Sequence, residues 1–397
     1  MTLRITYLLA AAVVLGPLAM QIYLPILPTL QAEFGVSQDV IQLTFSLYIL
    51  ATGIAQLVSG TLSDRYGRRP VMLTGIVLFL VGSAACALAP NASALIVARI
   101  VQAAGGGIGL VVARAVLSDL YPPAEMAKRL ATVILIMLIG PMLGPLTGGY
   151  FGIWFGWRSI FWLLTVMSAL VLLLLVARLP ETLPADKRGQ TKSLRDGFAL
   201  ALGRPRFLLY AIVTTSSAAG FYLFLSMVPF VMENHFREPT ERFGELFIVL
   251  AIAYGIGNFL ATRYAAAIGI ARTVATGSIG VVIAISVAVT LQLSIGLSAT
   301  TLFAAMAMAT LSQGFFNPSA QGGAVGQVPE RAGTASSLTS FAMQVVSAAL
   351  VQSLAMTQSN SIWPLLITLA VVHSIGMLAA IALHRNAAAS LASTGRP

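Results

Sequence analysis

Arg99 and His373 are among the ionisable side chains that stand inside long apolar runs, where a charge is expensive enough to mark function by default. The arginine offers a permanent positive charge with five donors, and the histidine either exchanges a proton near neutral pH or serves as a structural hydrogen-bonding group. The thirteen carboxylates fall in loops or near the ends of the apolar runs, so no buried pair of acids is placed for acid–base catalysis. Among them Glu245 opens an apolar run, where it either dips into a cavity or sits at an interface against a helix N-terminus. His235, His373 and His384 are too scattered for a metal site or a membrane-embedded enzyme. Cys86, the single cysteine, excludes an intramolecular disulfide and thiolate metal spacing. Neither a cofactor nor a metal is implied.

Three further groups are patterned. Gly60-Thr61-Leu62-Ser63-Asp64-Arg65-Tyr66-Gly67-Arg68-Arg69-Pro70 combines glycines that allow a tight turn with an aspartate placed to face a helix N-terminus or pair with an arginine. Gly140, Gly144 and Gly148 recur every fourth residue and form a groove for a neighbouring helix, while Pro141 and Pro145 each remove a backbone hydrogen bond and let that helix kink. Arg99 lies eight residues after Asn91, and Arg114 five before Asp119, so each either acts inside the membrane or extends its head to the interface.

The elements that must hold these groups are membrane helices. The chain is 58% hydrophobic and 9% charged, against about 25% charged for a soluble domain. Spans of about 20 apolar residues fall near 7–28, 41–63, 71–89, 92–117, 130–152, 159–177, 207–231, 244–262, 273–292, 299–325, 334–356 and 362–383. The first runs on to Pro28, longer than the apolar stretch of a secretory signal. The polar connection 179–206 separates bundles 1–178 and 207–397, six spans each. With both termini cytoplasmic, 18 of the 23 Lys and Arg lie on the inner side and only Arg158, Arg237 and Arg242 outside, with Arg99 and Arg114 in the fourth span. Basic residues spread over short turns explain the net charge of +10 by topology and argue against nucleic-acid binding. Gly257, Arg263, Gly269 and Arg272 form a degenerate echo of the Gly60 pattern, which suits two pseudo-symmetric halves.

The Gly60–Pro70 segment resembles motif A of the major facilitator superfamily, G-x-L-x-D-R-x-G-R-R, in every key position. Arg99-Ile100-Val101-Gln102-Ala103 is similar to motif B, and Gly140-Pro141-Met142-Leu143-Gly144-Pro145-Leu146-Thr147-Gly148-Gly149 to motif C of the exporter branch. Tyr23-Leu24-Pro25-Ile26-Leu27-Pro28, Pro180-Glu181-Thr182 and Gly314-Phe315-Phe316-Asn317-Pro318 narrow the resemblance to Bcr/CflA-type drug-resistance transporters. The resemblance implies an all-α membrane fold of twelve helices in two six-helix bundles, and drug export by proton antiport through alternating access. It also implies a motif A turn that latches the outward-facing state by contacting the C-terminal half, with its arginine paired to an acid at the inner end of the fourth helix; the matching positions are Asp64, Arg68 and Asp119. One departure stands out. Such relatives place an Asp just before Ile22-Tyr23-Leu24-Pro25, and this chain has Gln21, which cannot carry a proton.

Gln21, Tyr23, Tyr48, Arg99, Phe221, Tyr222, Phe224, Phe315, Phe316 and Asn317 are the expected cavity residues, an apolar set with few fixed polar groups that suits amphipathic molecules. Gly60, Asp64, Gly67, Arg68, Asp119, Gly140, Pro141, Gly144, Pro145 and Gly148 are the expected gating residues, and Glu245 and His373 the candidates for proton coupling. The expected partners are a small-molecule substrate, protons and the lipid bilayer, around a monomer in a bacterial inner membrane. The alternative is transport of an anionic or neutral metabolite with different coupling.

Overall fold

The computed structural model describes residues 2–189, 194–357 and 361–394. All regular structure among them is helical, with twelve stretches long and apolar enough to cross a bilayer. In hydrocarbon a segment must satisfy its own backbone, which makes helix the form these runs take.

The first span is α1 (Thr2–Gln21), a 3-10 turn at Leu24–Ile26 and α2 (Leu27–Phe34). The interruption falls around Pro25, whose nitrogen has no hydrogen to give to the preceding turn. The next spans are α3 (Gln38–Tyr66), α4 (Arg68–Ala87) and α5 (Ala92–Leu120), the last capped by Asn91, which accepts the Ala94 N–H at 2.9 Å. The fifth is broken at Leu138 into α6 (Pro123–Met137) and α7 (Ile139–Phe155), just ahead of Pro141. After α8 (Trp157–Arg178) comes α9 (Leu194–Leu202), inside the stretch expected to be a plain linker. Nine residues with an Arg and an Asp are too short and too polar to register as a span.

The remaining spans are α10 (Pro205–Val231), α11 (Thr240–Ile268), α12 (Ile270–Ser294), α13 (Ala299–Gly326), α14 (Ala332–Ala355) and α15 (Trp363–Thr394). Several helices overrun the expected spans, α3 by three residues at each end, because polar end residues continue the hydrogen-bond ladder beyond the hydrocarbon.

The chain forms two compact units, residues 1–192 with 240–244, and 193–239 with 245–397. In the first, α5 runs against α1, α3 and α4. Its three consecutive glycines turn by about 100° each, so Gly105 abuts Gly75 and Phe79 of α4, Gly106 meets Gly16 of α1, and Gly107 meets Thr52 and Ala55 of α3. In the second unit α10 packs on α13, α14 and α15, and α12 on α13 and α15. Large apolar side chains face outward throughout, Leu173 and Trp154 in the first unit and Leu293 in the second each being about 70% exposed. A bilayer, not water, solvates such a surface, and the protein is a multi-pass membrane protein.

Candidate functional site

The densest polar assembly gathers around the turn between α3 and α4. Gly67 has φ +106 and ψ 156, a conformation that essentially only glycine adopts, and a Cβ there would overlap the Glu181 carboxylate. Glu181 occupies that space because the first N–H groups of α4 have no intrahelical partners. It accepts from the Arg68 N–H at 3.0 Å and the Arg69 N–H at 3.3 Å. Partial burial pushes the Glu181 carboxyl up, but backbone N–H donors of Leu183, Arg68, Arg69 and Thr182 outweigh it and hold the group below the usual carboxylate range.

The Arg68 side chain, 9% exposed, reaches three partners: Asp64, the Ser63 hydroxyl at 2.8 Å, and Asp119 at 3.1 Å. Asp119 also accepts from the Thr182 hydroxyl at 3.0 Å. Arg69 donates to the Val176 carbonyl at 2.9 Å, and the Gly189 N–H to the Asp64 carbonyl at 3.1 Å. One turn is thereby tied to the C-terminal ends of α5 and α8 and to the segment after α8. Asp64, Gly67, Arg68 and Asp119 are thus brought together. Gly60 is not among them: it lies within α3, and a Cβ there would make only ordinary contact with Val111. Sequence reasoning missed Glu181 and Thr182 as members of this site, although Pro180-Glu181-Thr182 had already stood out as a motif.

Arg99 forms a second assembly, wholly enclosed in the first unit. Its guanidinium lies between the Tyr23 and Tyr48 rings, 4.0 Å from each centroid, and is fully buried, so it does not extend to the interface. Nη1 donates to the Ala19 carbonyl at 3.0 Å, in the last turn of α1 where carbonyls lack helical partners, and to Gln102 at 2.6 Å. Gln102 in turn donates to Ser83 at 2.8 Å, and the Tyr48 hydroxyl to the Gly16 carbonyl at 3.0 Å. Nη2 has no partner, and no carboxylate pairs with Arg99 among the described residues.

The α7 glycines receive the first span. Gly140 lies against Leu18, Gly144 against Gln21 and Ile22, and Gly148 so close to the Ile22 carbonyl that a Cβ has no room. The Gln21 amide oxygen is buried there without a partner. Pro145 lies inside α7, whereas the Pro141 side chain falls outside the described residues. A third polar cluster, which sequence reasoning did not single out, joins Glu33 to the Trp157 indole N–H at 2.7 Å and to Arg158 at 3.0 Å. Only the run of aromatic and charged residues at Trp157-Arg158 hints at it.

In the second unit the expected residues divide. Phe224 is fully buried edge-on to Phe303, and Phe316 is buried against Gly277, so both fill packing positions. Phe221, Tyr222, Phe315 and Asn317 are partly buried. Glu245 is exposed in the first turns of α11. His373 is 4% exposed, with Nε2 unpartnered and pressed against the Gly220 backbone of α10. No cluster of three His, Cys, Asp or Glu side chains able to hold a metal occurs among the described residues.

Residues 9–351 match the Major Facilitator Superfamily. The multidrug resistance protein MdtL of Escherichia coli is 31% identical over 365 residues, 92% of this chain and 91% of its own. An uncharacterised transporter of Bacillus subtilis, YdgK, is 30% identical over 267 residues, 66% of each chain. The xylose transporter XylE of E. coli, in a partially occluded inward-open conformation, superposes with a TM-score of 0.73 over 96% of both chains at 15% identity. Twelve spans, a charged turn tied to the ends of two further helices and a match over most of its length place this chain in the Major Facilitator Superfamily.

Proposed function

We propose that this transporter is a Bcr/CflA-type exporter that moves small amphipathic molecules, antibiotics among them, out through a bacterial inner membrane. Its two six-span halves, about 1–178 and 207–397, alternate in access, both termini are cytoplasmic, and one copy of the chain suffices. The observation that carries this reading is the Arg68 cluster, in which one charged turn holds the inner ends of two neighbouring helices through side chains that a small movement would separate. The similarity to a multidrug resistance protein over nine-tenths of both chains supports the substrate class.

Proton antiport accompanies that family reading, with His373 and Glu245 as the candidate carriers. Gln21 favours the second reading, an anionic or neutral substrate with different coupling, because the position that would supply a carboxylate in the first span holds an amide. Inverted membrane vesicles with an acidified lumen separate the two. Drug addition alkalinises the lumen if protons leave as drug enters, whereas drug accumulation with a flat pH trace removes proton antiport.

A further inference from the structure

Some arginines of the first unit pair with carboxylates and others, Arg69 at the start of α4 among them, do not. Arg68, Arg129, Arg158 and Arg188, at the ends of its spans and just beyond them, each pair with a carboxylate. The two arginines within α5 do not. Arg99 has an unpartnered Nη2, and Arg114, half-buried, has an unpartnered Nε. No carboxylate pairs with either, and no Asp or Glu is among the buried side chains of the described residues in either unit.

The two arginines also share a direction. Gly106 and Gly109 of α5 meet α1, while Gly107 and Val111 meet α3. With about 100° per residue, Arg99 and Arg114 both fall in the sector between those contacts, facing the seam of α1 and α3. Fifteen residues separate them, roughly 22 Å along the axis. Arg99 is closed off by two tyrosine rings, whereas Arg114 retains exposure and stands five residues before Asp119. The seam therefore carries two positive charges with no carboxylate at ion-pair distance among the described residues, and the partly exposed one lies toward the end of α5 that joins the Arg68 cluster.

We propose that Arg114 selects substrates by charge, and that the exported molecules are organic acids with one ionised carboxylate on an apolar body. The proposal rests on the export reading above and deepens it. A guanidinium takes a carboxylate in a planar, charge-assisted pair. A lipophilic cation would meet two like charges and no buried acid, a juxtaposition that like-charge repulsion in a low-dielectric interior disfavours. Arg99, already stacked and bonded, contributes its field; Arg114 contributes the contact.

The test uses the full chain in proteoliposomes and measures equilibrium exchange, which does not depend on how transport is coupled. The probes are 1-naphthoate, its uncharged analogue 1-naphthamide, and ethidium. Exchange of naphthoate should fall at least tenfold in Arg114→Gln and stay within twofold of the parent in Arg114→Lys. Exchange of naphthamide should change less than twofold in both variants, and ethidium should exchange no faster than in protein-free vesicles. The naphthamide readout also reports that Arg114→Gln is folded and turning over. Equal losses of naphthoate and naphthamide in Arg114→Gln would overturn the proposal in favour of a structural or headgroup-anchoring arginine. Exchange of naphthamide or ethidium but not naphthoate by the parent protein would overturn charge selection and leave export standing. Exchange of none of the three would overturn both.

Discussion

The turns joining α3 to α4 and α11 to α12 share a backbone but not a chemistry. Gly67 (φ +106, ψ 156) and Gly269 (φ +89, ψ 144) each end one helix and start the next, with their N–H groups on the Ser63 carbonyl at 3.1 Å and the Ala265 carbonyl at 2.9 Å. Around Gly67 stand Asp64, Arg68, Asp119 and Glu181; around Gly269 a Cβ would meet nothing within 4 Å. Arg263 and Arg272 flank the second turn, both exposed and neither paired with a carboxylate. The chain in fact has no acid between Glu245 and Glu330. Glycine sets the shape of a turn, and acids reaching it from elsewhere in the chain decide whether that shape is held.

The largest expected effect separates shape from holding. Gly67→Ala and Gly269→Ala both force alanine into a glycine-only region, a strain of about 1–3 kcal/mol. Only the first also drives the Glu181 carboxylate away from the Arg68 and Arg69 N–H groups, adding about 1 kcal/mol for a lost helix cap. Thermal unfolding of the purified protein in detergent should therefore rank Gly67→Ala below Gly269→Ala, which in turn falls below the parent. Equal losses would mean that Glu181 moves aside freely.

A smaller effect follows from pH. The Glu181 carboxyl is held below its ordinary value in the folded chain, so its stabilisation is complete above the unfolded value and is lost as pH falls through the folded one. Hydrogen exchange at the first amides of α4 should accelerate under acid conditions relative to those of α12, whose entry has no carboxylate. Parallel acceleration in both helices would point to general loosening.

Much of this contrast was legible in the residues. Long apolar runs fix the number of spans, and Gly67, Asp64 and Arg68 lie so close in sequence that their meeting follows from one turn. Asp119 is 51 residues from Arg68 and entered only through the resemblance to a family, while Glu181, 113 residues away, was read as a signature and not as a ligand of backbone amides. Side-chain partners far apart in sequence leave no periodic trace. The same limit explains Tyr23, Tyr48 and Arg99: each was singled out, but as lining for a cavity, whereas packing stacks them on one another. The break of the fifth span at Leu138 was half-visible in Pro141, while α9 was too short to stand out from the connection around it.

The smallest effect belongs to a transplant. Asp64 and Arg68 lie three residues before and one after their glycine, and the matching positions beside Gly269 are Ala266 and Ile270, both exposed. The double variant Ala266→Asp with Ile270→Arg recreates the pair four residues apart but supplies no counterpart of Asp119 or Glu181. An exposed pair of this kind contributes about 0.2–1 kcal/mol, so the melting temperature should barely move. The Arg68 guanidinium differs because Asp119 and Ser63 enclose it and leave it 9% exposed, so that although Asp64 stays 46% exposed the arginine is held by more than that one pair. If the transplanted pair alone stabilised the second unit as strongly as Gly67→Ala destabilises the first, the acids distant in sequence, Asp119 and Glu181, would be dispensable, and the two turns would differ only in having the pair or lacking it.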